Sequence, residues 1–167
     1  MKKTRKIAYD GLLLALAVAV SAIENLFPLP LGVKPGFSNI IIMYAIIYIG
    51  TGSAFSICIL KSLFVLMTRG LTAFCMSVSG GILSFMLMLL LFRRTKASLL
   101  FNSISGGIAH NMAQLAAACI ILKTKAAAAY LPVLIISGCI AGCASGICLR
   151  LLTPAFSKLK TTVNKGG

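Results

Sequence analysis

Three polar residues in an otherwise apolar stretch have the types and spacing to do chemistry. His110, Asn111 and Gln114 lie within residues 105–118, and at these spacings they share one broad face of a helix. Imidazole and carboxamide groups both donate and accept hydrogen bonds, which suits the binding of a small polar ligand. An unpaired amide in hydrocarbon costs several kcal/mol, so this face is expected to meet other helices, water or a ligand.

The rest of the sequence does not favour catalysis. Its two acids, Asp10 and Glu24, flank the first apolar segment, which leaves no carboxylate pair for acid–base work or Mg²⁺-diphosphate chemistry. No Gly-rich ATP-binding loop is present. Cys139 and Cys143 lie one helical turn apart without a nearby histidine or carboxylate, so packing is favoured over metal binding. We therefore predict a protein that is not an enzyme and holds no metal or cofactor.

The composition predicts that these residues lie in a membrane. Of the 167 residues, 59% are hydrophobic and only 11% are charged, whereas soluble domains carry about 25% charged residues. At about 20 residues per span, the chain has room for five or six transmembrane helices. We predict an all-α bundle of six spans forming one domain, at about 7–23, 39–49, 53–68, 73–92, 99–122 and 130–152.

The basic residues predict the orientation of the bundle. A net charge of +14 could suggest nucleic acid, but the basic residues lie at the ends of apolar segments rather than along one face, so no nucleic-acid partner is expected. With six spans, most of them fall on one side, which the positive-inside rule makes cytoplasmic. Both termini are therefore predicted to be cytoplasmic, with residues 153–167 as a basic tail that is able to touch anionic lipid.

Further polar residues are expected near the outer surface. The segment before Asn39 carries Pro28 and Pro35, which prevent a continuous helix, so it is either an ordinary connector or a lid over a ligand. Its candidate lid residues are Pro28, Lys34 and Gly36. Ser79 lies in the outer half of the fourth span, where small and hydroxyl residues permit close helix contact or open a polar pocket.

Lys61 is unusual because it falls near the middle of the third span. A charge at that depth costs about 3 kcal/mol or more, and neither acid is expected at the same depth. The side chain either extends along its stem to the membrane surface or contributes to an anion site in a polar cavity. The predicted binding set is thus Asn39, Lys61, Ser79, His110, Asn111 and Gln114.

Three segments resemble one bacterial protein family. Residues 28–39 (PLPLGVKPGFSN), 77–84 (SVSGGILS) and 105–116 (SGGIAHNMAQLA) are similar to the Gx transporter family, often labelled heptaprenyl diphosphate synthase component I. That family is related to the substrate-binding S-components of energy-coupling factor transporters. The synthase label does not fit this sequence, because prenyl chain elongation needs Asp-rich motifs that bind Mg²⁺ and diphosphate.

The resemblance implies a six-helix, multi-pass protein of the bacterial cell membrane that captures a vitamin-like small molecule such as a flavin or quinone precursor. Its partner would be a membrane coupling subunit that carries two ATPase subunits. S-components dock on that subunit through an Ala-x-x-x-Ala pattern on the first helix, which Ala15 and Ala19 match, although packing within the bundle would also explain it. The alternative is a membrane scaffold in isoprenoid-quinone synthesis or flavin-linked electron transfer.

Overall fold

Helices make up nearly all of the part of the chain that the structure describes. The computed structural model describes the backbone of residues 3–24, 26, 36–95, 97–123 and 129–165. These ranges contain α1 (Lys3–Glu24), α2 (Asn39–Tyr48), α3 (Thr51–Arg94), α4 (Leu99–Leu122) and α5 (Leu131–Lys165), and no strand. All of these helices except the shorter apolar α2 include a stretch long and apolar enough to cross a membrane. The regular secondary structure of the described residues is therefore all helical, and it is of the membrane-embedded type.

The expected spans at 53–68 and 73–92 both lie within α3, which folds back on itself at Gly70. Gly70 has φ 82° and ψ −176°, a non-helical conformation that glycine adopts readily because it has no Cβ. The two arms, 51–69 and 71–94, run antiparallel: the hydroxyls of Ser62 and Ser77 are 3.1 Å apart. A Cβ built on Gly81 would meet the sulfur of Cys58 at 2.7 Å. α3 is therefore a helical hairpin rather than one long rod.

The short helix α2 lies at the centre of the fold. It contacts each of the other four helices, and its residues from Ile41 to Ile46 are all buried. A helix that is apolar on every side is stable only when it is surrounded. α2 therefore brings its N-terminal residue, Asn39, into the interior of the bundle.

The burial pattern is that of a membrane protein. Large apolar side chains such as Met67, Ile120 and Leu151 are more than two-thirds exposed, whereas His110 and Asn111 on α4 are almost fully buried. In water this distribution would leave a large aggregation-prone apolar surface. In a bilayer the same surface faces lipid, and the polar groups find partners inside the bundle.

Glycines bring α4 and α5 into backbone contact. A Cβ on Gly107 would lie 2.5 Å from the carbonyl oxygen of Gly138, and a Cβ on Gly142 would lie 2.6 Å from the Cα of Ile104. Small residues at i and i+4 allow such an approach, because packing rather than the hydrophobic effect holds helices together in lipid. This contact positions α4, which carries the polar residues singled out in the sequence. α5 itself continues through Pro154 to Lys165, beyond the predicted span.

We expect Gly142→Ala to lower the free energy of unfolding by about 1–3 kcal/mol, because the added methyl group has no space between the two backbones. Thermal unfolding in detergent measures the change. Gly11→Ala is the matched control: Gly11 is also helical, but nothing lies within 4 Å of the position that an added methyl group would occupy, so alanine should be neutral or stabilising by about 1 kcal/mol. Equal effects of the two substitutions would contradict the close contact of α4 with α5.

Candidate functional site

The site is built around His110, which α4 presents to α3 and to the turn before α2. A Cβ on Gly80 of α3 would lie 2.9 Å from His110 Cε1 and Nδ1, and a Cβ on Gly36 would lie 3.1 Å from His110 Cδ2. The imidazole therefore fits between two positions that have no side chain. One turn further along α4, the amide nitrogen of Gln114 lies 2.7 Å from His110 Nε2. The amide N–H donates to the ring nitrogen, which holds the two side chains together.

Asn39 adds a carboxamide whose hydrogen-bonding capacity is unused. It is 5% exposed, and neither its Oδ1 nor its Nδ2 has a hydrogen-bond partner. Its backbone N–H donates to Gly36 O at 3.1 Å, and a Cβ on Gly36 would lie 3.3 Å from Asn39 Nδ2. Because one methyl group on Gly36 would meet both Asn39 and His110, these two side chains lie close together beside the same glycine. A buried amide without partners costs free energy, so this group is a candidate ligand contact.

Glycine is required at position 36 for two independent reasons. Its φ is +87°, a conformation that side chains with a Cβ rarely adopt. In addition, a methyl group there would press against both His110 and Asn39. The same residue thus allows the tight turn into α2 and the close approach of that turn to α4.

Lys61 belongs to a buried charged network beside this turn. Its Nζ donates to Ser38 Oγ at 3.0 Å, and the Ser38 hydroxyl in turn donates to Glu24 Oε2 at 3.3 Å. The Ser38 backbone N–H donates to Glu24 Oε1 at 2.9 Å. Lys61 and Glu24 are 2% and 3% exposed, so the ammonium group points into the bundle towards Ser38 and Glu24 rather than to its surface. The expectation that neither acid shares the depth of Lys61 is therefore wrong.

The network balances the charge of the site. The ammonium and the carboxylate contact the same hydroxyl oxygen, so they lie no more than about 6 Å apart, close enough for opposite charges to stabilise each other. Shared hydrogen bonds offset part of the cost of burying both ions. Glu24 ends α1, Ser38 precedes α2 and Lys61 lies on α3. The network therefore connects three helices beside the turn before α2.

Two members of the predicted binding set hydrogen-bond to backbone carbonyl groups and lie apart from the other four. Asn111 is fully buried and its Nδ2 donates to Leu134 O on α5 at 2.9 Å, so it points away from the α3 side of α4. Ser79 donates to Met76 O at 3.0 Å and approaches Ala113 O at 3.4 Å. The structure thus groups Asn39, Lys61, His110 and Gln114 around the turn before α2. The side chains of Asn111 and Ser79 instead hydrogen-bond to backbone carbonyl groups.

Sequence reasoning missed the roles of Glu24 and Ser38 and the contact of Gly80 with His110. Their partners lie 14 or more residues away in sequence, and no local pattern specifies such pairings. A signal existed only for Glu24, because a lysine inside a span needs a counter-charge and the chain contains only two acids.

The predicted lid and docking residues fall in different parts of the structure. Pro28 and Lys34 lie outside the described residues, whereas Gly36 is buried against His110. Ala15 and Ala19 are exposed on α1, on the side of that helix away from its buried residues Leu13 and Ala17. This surface is open to another helix, and its use in docking stays a prediction.

Comparison with known proteins identifies a family. The family model described as heptaprenyl diphosphate synthase component I matches residues 13–152, which include every residue of the site. No curated protein and no solved structure is significantly similar to the chain.

We expect Glu24→Gln and Lys61→Met each to lower the free energy of unfolding by about 3–5 kcal/mol, because either change leaves one buried charge without its opposite. The free energy of unfolding of the double variant should fall by much less than the sum of the two single decreases, since the double variant removes both charges. Thermal unfolding in detergent measures all three proteins.

Asp10→Asn combined with Lys61→Met is the matched control. Asp10 also accepts a serine hydroxyl, from Ser53 at 2.9 Å, but it precedes Glu24 on α1 by about 21 Å at 1.5 Å per residue. The decrease in the free energy of unfolding caused by Asp10→Asn should therefore add to the decrease caused by Lys61→Met. Additive losses for Glu24 and Lys61 would show that the two charges are not coupled.

Proposed function

This chain belongs to the heptaprenyl diphosphate synthase component I family, and we propose that it is a substrate-binding membrane subunit of an energy-coupling factor type transporter. The substrate would be a vitamin-like small molecule. The observation that carries the proposal is Asn39, a buried carboxamide with an unused donor and acceptor beside His110. Ligand sites in apolar surroundings use a few such polar groups to orient the molecule.

The distribution of carboxylates argues for binding rather than for prenyl transfer by this chain. Mg²⁺ held for diphosphate chemistry needs carboxylate oxygens close together. Asp10 and Glu24 are about 21 Å apart along α1, and both Glu24 oxygens already accept hydrogen bonds from Ser38. If the family name reflects an association with prenyl diphosphate synthesis, another subunit would have to supply the acidic ligands.

The electrostatics of the site favour a ligand group without net charge. Glu24 balances the charge of Lys61, so an anionic ligand would meet no uncompensated cation there. Asn39 offers a neutral N–H donor and a neutral carbonyl acceptor on one group, which complements an amide or similar edge on a ring. A flavin or a quinone precursor carries such neutral polar groups on an otherwise apolar ring system. The site suits this class of molecule.

The proposed arrangement in the membrane follows the charge pattern. The two arms of α3 would each cross the bilayer, giving six spans with both termini in the cytoplasm of a bacterial cell. The turn before α2 would then lie near the outer surface, where residues 25–37 could cover a captured ligand. The exposed Ala15 and Ala19 would dock on a membrane coupling subunit whose two ATPases supply the energy.

We expect purified wild-type protein to release one small molecule that mass spectrometry identifies. Adding this molecule back to the emptied protein should raise the melting temperature of the protein. Asn39→Leu should abolish the retention and the temperature rise. Because the Asn39 amide has no partner to lose, the free energy of unfolding of the empty variant should stay within about 1 kcal/mol of wild type.

Asn111→Leu is the matched control, since it makes the same substitution at a buried asparagine that already donates to Leu134 O. It should lower the free energy of unfolding by about 1–3 kcal/mol and still allow ligand binding. Retention of the compound by Asn39→Leu would refute the assignment of the site. A folded, monodisperse wild type that holds no small molecule would instead favour a scaffold in isoprenoid-quinone synthesis or flavin-linked electron transfer.

A further inference from the structure

A second candidate site lies away from the polar residues, on the outside of the bundle. A cavity of about 220 Å³ is enclosed by α1, α2 and α5. Its walls include Leu13, Leu16 and Val20 of α1, Tyr44 of α2, and Leu149 and Leu152 of α5. Leu16 and Leu152 are 47% and 40% exposed, so the cavity opens to the surface between α1 and α5. We call it the lateral groove.

The lining of the lateral groove specifies hydrocarbon. Apart from Tyr44, its lining side chains are aliphatic or, in Cys148, a thiol, and the Tyr44 hydroxyl is already paired with the Tyr9 hydroxyl at 2.8 Å. An apolar cavity of this size does not hold water stably and binds apolar molecules instead. The part of the occupant inside the groove is therefore an apolar chain or ring.

The opening of the lateral groove favours a lipid chain as its occupant. Its rim residues Leu16 and Leu152 are exposed, so in a bilayer the groove opens to lipid, whose acyl chains match its apolar lining. A single hydrocarbon chain is narrow enough to enter from that side.

A basic residue on the stripe of α1 that lines the groove indicates the chemistry of the head group. Lys6 precedes Leu13 by 7 residues and Val20 by 14, so the three share one stripe of α1. Tyr9, on the same side of α1, lies between Lys6 and Leu13 in sequence and hydrogen-bonds to Tyr44, which lines the groove. Lys6 is exposed, and an ammonium group near the membrane surface attracts anionic lipid.

We infer that the lateral groove binds one acyl chain of an anionic glycerophospholipid whose head group contacts Lys6. The chain fills a space that α1 and α5 leave open, so it completes the packing between them. This site shares no residue with the Asn39 and His110 site, and the inference does not depend on the proposed transport function.

The test uses full-length protein reconstituted in nanodiscs that contain phosphatidylglycerol and phosphatidylcholine, followed by native mass spectrometry after transfer to detergent. Wild type should retain one phosphatidylglycerol molecule. Val20→Phe and Leu16→Phe each place a ring in the groove or at its rim, and both should lose the lipid. Leu12→Phe is the control, because Leu12 is 65% exposed and does not line the groove, and it should retain the lipid.

The head-group contact is tested separately. Lys6→Gln should keep a bound lipid but lose the preference for phosphatidylglycerol over phosphatidylcholine, whereas Arg94→Gln, at an exposed basic residue on α3, should keep that preference. A wild type that retains no phospholipid, or retains a prenyl lipid instead, would overturn the inference. Undiminished phosphatidylglycerol in folded Val20→Phe and Leu16→Phe would do the same, and thermal unfolding shows which variants are folded.

Discussion

The structure depends on balancing one positive charge inside a medium that cannot solvate it. Lys61 is buried among helices, where an isolated ammonium group would cost several kcal/mol. The Ser38 hydroxyl accepts a hydrogen bond from Lys61 and donates one to Glu24. Because these residues come from three different elements, satisfying the charge also brings together the end of α1, the start of α2 and the first arm of α3. The geometry of the candidate site follows from that connection.

Glycine makes the second contribution, by removing side chains where polar groups must come close. Gly80 and Gly36 leave space on two sides of the His110 ring, and Gly107 and Gly142 let the backbones of α4 and α5 touch. Lipid tails are as apolar as the side chains of the helices, so the hydrophobic effect does not drive helices together in a membrane. Close packing of the helices is therefore a main source of their association. The positions of the glycines therefore determine how deeply α4 enters the bundle and where its polar face lies.

The proposed polar site and the proposed lipid site lie in different parts of the molecule. Hydrogen-bonding groups that lack partners, above all Asn39, lie within the bundle, where a polar ligand is shielded from lipid. The lateral groove between α1 and α5 has no comparable groups and opens to the membrane. α1 contributes Leu13 to the groove while exposing Ala15 and Ala19 on another side, so the proposed lipid contact and the proposed docking contact would use different faces of one helix.

The sequence by itself determined the class of the protein and which polar residues face inward. Long apolar segments predict membrane helices, and the cost of burying amides in hydrocarbon predicts that His110 and Gln114 point into the bundle. The 3.6-residue period does not say which neighbouring helix each side chain meets. Only the tertiary structure decided that Asn111 contacts α5 while His110 faces α3, and that Glu24 reaches Lys61 through Ser38. These pairings depend on the register between helices. Close contacts at glycines far apart in the sequence determine that register, and no local sequence pattern encodes it.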